Sequence, residues 1–384
     1  MGVPLAQILG AKNIIGIIQG IKPGLREKIL PPALLTSTEK VSGNYGTYHK
    51  VVGERRASRV TDYGAPAMVY EPTGVAEIPV NFLHSFQQMP FKPSALMNLL
   101  QEGNEQRQKL GMETIARQTG DFAQTFRNLR VAAIFQMLAQ GSITTDTNGR
   151  FTTTAASVAR TIDYGIPSTN KGQLNVPRYD INGKLITSAI IDASWATTTT
   201  SILKHLQNLK EVAAQMTGYP LSLAFCGKNV RRYLMNNTEY KDYMKRYEPA
   251  QKAAYEGKIG AGFADFNWFE MTEAFYSQDK ANDGSALTPN KALPIFDPDT
   301  VTFTPDISTE WYDLIEGSYP VPAGEEEGGS ASEILSRYVE TFGHFGWAKR
   351  GVDDNPSVIV EFQGDTFLPV IKVPYAVFIA KVVF

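Results

Sequence analysis

Residues 112–141, METIARQTGDFAQTFRNLRVAAIFQMLAQG, constrain the fold of this chain more than any other stretch. Ile115, Phe122, Phe126, Leu129, Ala133 and Met137 return to one face of a period of about 3.6 residues. Arg117, Asp121, Gln124, Arg127, Asn128 and Arg130 fall largely off that face. Gly141 follows the last apolar turn, where glycine takes up positive φ and ends a helix. The spacing predicts one amphipathic core helix, roughly 40 Å long. Gly120 is its weak point, costing about 1 kcal/mol against alanine in an exposed helix interior.

Ahead of it, residues 1–45 are rich in apolar side chains (Leu5, Ile8, Leu9, Ile14, Ile15, Ile17, Ile18, Ile21) but cut by Gly10, Gly16, Gly20, Pro23, Gly24, Pro31 and Pro32. Such a segment cannot bury its side chains on itself and reads as an arm laid on a neighbouring subunit. Residues 46–72 read as a projecting hairpin. Thr47–Val52 and Ala67–Tyr70 are β-prone, and Asp62-Tyr63-Gly64-Ala65-Pro66 is the turn signal. Between them lie Glu54, Arg55, Arg56 and Arg59, with Lys50 just before. Arginine forks pair well with carboxylates, so these arginines are candidates for contact with the next subunit; the plain alternative is a solvated charged hairpin. A shorter helix is expected over Ser94–Gln108, ending near Gly111.

After the long helix, Asp146-Thr147-Asn148-Gly149 is a hairpin turn, with strands expected at Arg150–Thr154 and Arg160–Tyr164. A long loop occupies 165–194. A second unit begins at Trp195: Thr197–Thr200 offer N-caps, and Ile202, Leu206, Leu209, Ala213 and Met216 lie at helical spacing. A buried strand at Leu221–Cys226 and helices at Asn229–Asn236 and Glu239–Tyr247 follow, which suggests an α/β layer with a mixed sheet. Phe263–Phe275 and Thr300–Phe303 add strands, and 277–294 is a polar loop. Glu325, Glu326 and Glu327 stand between glycines as an exposed acidic tip. Val358–Phe362 and Tyr375–Phe384 are closing strands joined through Leu368-Pro369-Val370.

The chain's 384 residues are 43% hydrophobic, enough for real cores, and the net charge of -2 lacks the basic excess of a phosphate-gripping protein. Cys226 is the single cysteine, which excludes an intrachain disulfide and a thiolate metal cluster; its apolar surroundings predict a buried, inert thiol. No run approaches the roughly 20 apolar residues of a membrane span, and no signal peptide is evident, so a soluble protein made in the cytoplasm is expected. The motifs H-E-x-x-H, C-x-x-C and G-x-S-x-G are absent, and Gly257–Gly262 lacks the Lys-Ser/Thr of a phosphate loop. His49, His84, His205 and His344 are scattered without metal-ligand spacing. The expectation is no enzyme, no catalytic or metal site and no cofactor.

Several stretches carry a resemblance: Thr38-Glu39-Lys40-Val41-Ser42-Gly43-Asn44-Tyr45, Asn128–Ala133 through Leu138–Gly141, Trp195-Ala196-Thr197, and Phe367-Leu368-Pro369-Val370 to Val382. In this order they resemble a tailed-phage major capsid protein with the Hong Kong 97 fold, most similar to the branch typified by the lambda capsid protein. The resemblance implies an α+β chain with an N-arm (1–45), an extended β-hairpin loop (46–84), a spine-helix peripheral domain (85–194 with the returning C-terminal strands 356–384) and an α/β axial domain (195–355). It also implies self-assembly as hexamers and pentamers into an icosahedral virion shell, built in the host cytoplasm. Implied partners are a scaffold protein, a decoration (cement) protein and a portal, with DNA enclosed but not read by sequence. Lys50, Arg55, Arg56, Arg59 and Glu325, Glu326, Glu327 become inter-subunit contact candidates. Lys50 lies on the element that some members cross-link to an asparagine. Asn355 matches that pattern only loosely, so no cross-links are expected, and denatured particles should show no covalent ladder. The competing readings are an encapsulin-type cargo shell, a soluble α/β hydrolytic enzyme, and a tail or adhesion subunit.

Overall fold

A computed structural model describes residues 30–43, 45–52, 74–91, 105–147, 149, 151–152, 158–179, 182, 184–186, 188–246, 259, 262–271, 274–275, 293–294, 296–322, 338–352 and 355–384. The N-terminal apolar arm up to residue 29, the hairpin tip with Asp62–Pro66 and Ala67–Tyr70, the start of the Ser94 helix, most of the 277–294 loop and the acidic tip lie outside these residues.

In chain order the first strands are β1 (Glu39–Val41), β2 (Tyr45–Val52), β3 (Gly74–Asn81) and β4 (Leu83–Pro90), followed by α1 (Glu105–Gln140). Then come β5 (Ser142–Thr145), β6 (Arg160–Asp163), β7 (Lys171–Gly172), β8 (Arg178–Tyr179) and β9 (Leu185–Ile186). Next are α2 (Ile202–Met216), β10 (Leu221–Gly227), α3 (Lys228–Asn236) and α4 (Thr238–Arg246). The chain closes with β11 (Asn267–Met271), β12 (Ala274–Phe275), β13 (Leu293–Pro294), β14 (Thr300–Pro305), β15 (Tyr312–Pro322), β16 (Tyr338–Phe342), β17 (His344–Val352), β18 (Asn355–Ile371) and β19 (Phe378–Lys381).

Two compact units share these elements. One gathers Met1–Thr47, Pro79–Val131 and Leu314–Pro369; the other gathers Tyr48–Ile78, Ala132–Asp313 and Val370–Phe384. In the first, a six-stranded sheet runs β1-β15-β18-β17, with β16 on β15 and β4 on β18. In the second, a five-stranded sheet runs β11-β10-β14-β19-β7. It is mixed, as expected: β11 lies parallel to β10, and β14 antiparallel to it. The chain's last strand, β19, enters this sheet beside β14.

α1 begins earlier than its periodicity announces. It is continuous from Glu105 and passes through Gly111 without a break, so the expected stop there is corrected. Gly111 is buried, and one glycine at about 1 kcal/mol does not interrupt 36 cooperatively bonded residues. Up to Phe126 a single stripe is buried (Ile115, Thr119, Phe122, Ala123, Phe126); from Val131 to Ala139 every residue is buried. The helix stops as predicted, with Gly141 at φ +70° and its N–H on the Met137 carbonyl at 2.8 Å. Two further end carbonyls find donors: the Thr302 hydroxyl reaches Leu138 O at 2.7 Å and the Lys171 amine reaches Gln140 O at 3.1 Å.

Other expectations shift by register. The strand that pairs with β6 is Ser142–Thr145, ahead of the turn residues; Phe151 contributes a single bridge to Thr145. β2 pairs with Gly74–Asn81. α2 is capped not by Thr197–Thr200 but by Glu239, which accepts from Ser201 Oγ at 2.6 Å and Leu203 N at 3.1 Å. The strands β15, β16 and β17 carry no clear period-two alternation, and the sequence pattern does not announce them. Val358–Phe362 is one part of the single 17-residue β18, in which Pro369 is accommodated near the end.

Candidate functional site

Among the described residues no group of three or more His, Cys, Asp or Glu could hold a metal. A cavity of about 300 Å³ lies among Leu203, Gln207, Lys210, Glu239, Tyr243 and Asp265. Its charged groups are committed: Glu239 caps α2 and Lys210 pairs with Asp265 at 3.3 Å. Cys226 is buried, and burial pushes its thiol far up, so it is inert as expected. No helix among the described residues is long and apolar enough to cross a membrane.

What the fold does build is two faces on the six-stranded sheet. One face meets α1 through polar groups. Arg130 Nε and Nη2 each donate to Asp365 at 2.6 Å, and Nη1 donates to Glu316 at 2.8 Å. The guanidinium also lies 5.3 Å from the Phe367 ring centroid. Burial alone would lower the Arg130 pKa, but Asp365 and Glu316 outweigh it and hold the charge. Gly343, at φ +67°, closes the node: a Cβ there would stand 2.5 Å from Glu316 and 2.9 Å from Arg130 Nη2. About three turns earlier along α1, Thr119 donates to the buried Glu361 at 2.8 Å, and Gln363 donates to Glu361 at 2.5 Å. Burial pushes the Glu361 carboxyl up, against the pull of Gln363 and Thr119. These directional bonds fix which turn of α1 meets which residue of β18; a purely apolar seam would leave that register looser.

His344 extends the row. Its Nε2–H donates to Gln363 Oε1 at 3.1 Å and its ring lies 5.1 Å from Phe126. Burial holds its pKa below the ordinary value; Asp365 opposes this, and Arg130 and Arg127 reinforce it. A depressed folded value leaves stability intact above the unfolded value of about 6.5 and removes it as pH falls through the folded one. The thermal midpoint of the subunit should therefore drop as pH is lowered from about 7 towards 5. His344→Gln should flatten part of that slope. An unchanged slope in the variant would assign the acid sensitivity elsewhere.

The opposite face carries an aromatic band. Tyr319 and Phe345 stack at 4.5 Å and 3°, His84 lies 5.2 Å from Tyr319, and Trp347 lies 5.4 Å from both Phe86 and Phe362. Phe86 is 41% exposed. Gly364, register partner of both Phe86 and Phe345, has no side chain because the Phe345 ring lies over it.

In the second unit, Trp195 is the hinge-pin of the core. Its backbone N–H donates to Val382 O at 2.9 Å, and its indole N–H, a donor only, reaches His205 Nδ1 at 3.1 Å. That contact fixes His205 as the Nε2–H tautomer, which donates to Asp192 at 2.7 Å. The hydrogen bond to His205 holds the Asp192 carboxyl below its usual range. Asn237 is equally committed: its Oδ1 accepts from Glu239 N and Tyr240 N to cap α4, and its Nδ2 donates to Thr200 O at 2.7 Å.

Of the contact candidates read from sequence, Lys50 lies on β2, where its amine packs over Gly165 and leaves no room for a Cβ there. Arg55, Arg56, Arg59, Glu325, Glu326 and Glu327 fall outside the described residues. The Arg130 node was missed as a site; the sequence signal was the row Glu361, Gln363, Asp365 on an otherwise apolar strand.

The sequence model of the family described as phage major capsid protein E matches residues 28–307. No curated protein matches the chain. Among solved structures, one described as the capsid protein of a prophage in E. coli CFT073 is 12% identical with a TM-score of 0.52, covering 97% of this chain and 99% of that one. A phage-related protein from Bordetella bronchiseptica RB50 is 11% identical with a TM-score of 0.46, covering 97% of each chain. The satellite phage P4 procapsid is 11% identical with a TM-score of 0.42, covering 95% of this chain and 92% of that one. Of these three, the prophage protein carries the assignment of the shared fold.

Proposed function

The chain belongs to the phage major capsid protein E family and is a capsid shell protein, and we propose that its hexamers and pentamers tile an icosahedral shell around the double-stranded DNA of a tailed phage. The family match over residues 28–307 is the observation that carries this reading. Physical chemistry supports it: head-to-tail contacts that close make rings, and rings tile a shell when arms adapt between environments. A near-neutral chain, at net -2, also suits a wall that must not hold a polyanion.

The finer assignments follow the same reading. Residues 1–45 act as an arm and 46–84 as an extended loop; 85–194 with 356–384 form the peripheral domain, and 195–355 the axial domain. A scaffold protein, a decoration protein and a portal are the partners, with assembly in the host cytoplasm. Lys50, Arg55, Arg56 and Arg59 on one element, and Glu325, Glu326 and Glu327 on another, face neighbouring copies. The arginine cluster has few acids near it in sequence, which supports its use between subunits.

Negative-stain electron microscopy of the purified chain, with a scaffold protein co-expressed, tests this. Closed uniform shells or rings are expected. A chain that stays monomeric with scaffold would count heavily against it. Arg55→Glu with Arg56→Glu should leave a folded subunit that forms no shells; normal shells would show the arginines to be solvated surface.

A further inference from the structure

Helices α3 and α4 carry an unbalanced charge. Residues 228–246 hold six basic side chains (Lys228, Arg231, Arg232, Lys241, Lys245, Arg246) and two acidic ones, Glu239 and Asp242, in a chain whose net charge is -2. Glu239 is taken up in capping α2, and Asp242 pairs with Lys245 at 3.1 Å. Val230, Leu234 and Tyr240 face the core, while Lys228, Arg232, Lys241, Lys245 and Arg246 are exposed. Among the described residues Lys228, Lys241 and Arg246 make no ion pair.

Helix energetics do not explain this patch. Lys245 and Arg246 stand in the last turn of α4, where the helix dipole favours cations. Lys228, Arg231 and Arg232 stand in the first half of α3, at the positive end, and no acidic residue occupies its first turn. Arg231 pairs with Glu270 of β11 at 3.6 Å, but the exposed Lys228 and Arg232 are placed against the dipole with no acid on α3 to offset them. The platform beneath is rigid: Asn237 locks α3 to α4 and both to Thr200, and Tyr233 donates to Asp299 at 2.8 Å.

The sequence holds one run of three consecutive like charges, Glu325-Glu326-Glu327, flanked by Gly324 and Gly328. It lies on the connection between β15 and β16, whose stem is closed by the pairing of Pro322 with Tyr338. A head-to-tail contact needs both of its halves on one chain, and this chain carries both a basic helix face and an acidic run.

We propose that the basic face of α3 and α4 is an assembly surface that receives Glu325, Glu326 and Glu327 of a second copy of this chain. The inference rests on the shell reading and adds to it the acceptor for the acidic tip.

Two variants test it: a tip reversal (E325K, E326K, E327K) and a face reversal (K228E, R232E, K241E). Sedimentation and electron microscopy read the fraction of protein in rings and shells, with circular dichroism to check folding. Each variant alone should lower the assembled fraction at least tenfold. Co-expression of the two should restore rings, because each basic tip then meets an acidic face and each acidic tip a basic one. Should the face reversal unfold, the neutral set K228Q, R232Q, K241Q should still assemble less and show a weaker salt dependence. Normal assembly of either reversal overturns the proposal while leaving the shell reading intact; no assembly of the wild type strikes the shell reading itself. Rescue only when both changes sit in one chain would assign the contact within a copy and overturn it. So would shells of normal yield that merely hold less DNA when the face is reversed, which would make the patch a phosphate-binding one.

Discussion

Arg130→Ala should destabilise the subunit by about 3–5 kcal/mol, enough to leave much of the chain unfolded at 37 °C. The cost comes from what stays behind. The Asp365 side chain is 1% exposed and Glu316 13%, so removal of the guanidinium leaves two carboxylates without their cation in a dry site. Arg130→Lys should recover only part of the loss, because an ammonium cannot reproduce the paired 2.6 Å bonds to both Asp365 oxygens. Urea unfolding of the isolated subunit reads the effect. An Arg130→Met variant with Asp365→Asn and Glu316→Gln should lose less than Arg130→Ala alone, since the stranded charges are gone. Equal losses would mean that packing on Phe367, rather than charge, is what Arg130 supplies.

Trp195→Ala should cost about 3–5 kcal/mol in the other unit. The indole is 1% exposed in a core with Leu206, Leu209, Val301 and Val382, so truncation opens a large cavity. Trp195→Phe separates the two contributions. It keeps most of the volume but leaves His205 Nδ1 without its donor, at about 1–3 kcal/mol. Urea unfolding of the three proteins reads both losses; a phenylalanine variant as stable as wild type would remove the indole hydrogen bond from the account.

Much of the second unit was legible in the sequence because its signals are local. α2, β10, α3 and α4 each carry their own period and stop signals within a few residues, and the structure puts them within one or two positions of the expected bounds. The first unit was less legible because its decisive pairings are distant. β15 takes β1 as a partner and β18 takes β4, each far away along the chain, whereas β16 and β17 pair with the strands next to them but show no alternating pattern of their own. The Arg130 node was hidden for a related reason. On α1 the arginine falls outside the apolar stripe, and on β18 the alternation of Glu361, Gln363 and Asp365 with Val360 and Phe362 suggests a solvated polar side. Only the meeting of helix and sheet shows that the polar side is the covered one. The contact candidates read from charge clustering are a different matter, since clustering names residues without naming what they meet.

The parallel pairing of β1 with β15 sets a clock on synthesis. Glu39, Lys40 and Val41 find their register opposite Ile315, Glu316 and Gly317, and β18, which the same sheet needs, ends at Ile371. At about 5–20 residues per second, a ribosome takes roughly 15–65 s between making the first of these strands and the last. Through that interval the six-stranded sheet cannot close, while α2, β10, α3, α4 and β14 lie near enough in sequence to collapse early. A subunit therefore cannot offer its six-stranded sheet to a neighbour until synthesis has passed β18, however early its other unit has collapsed.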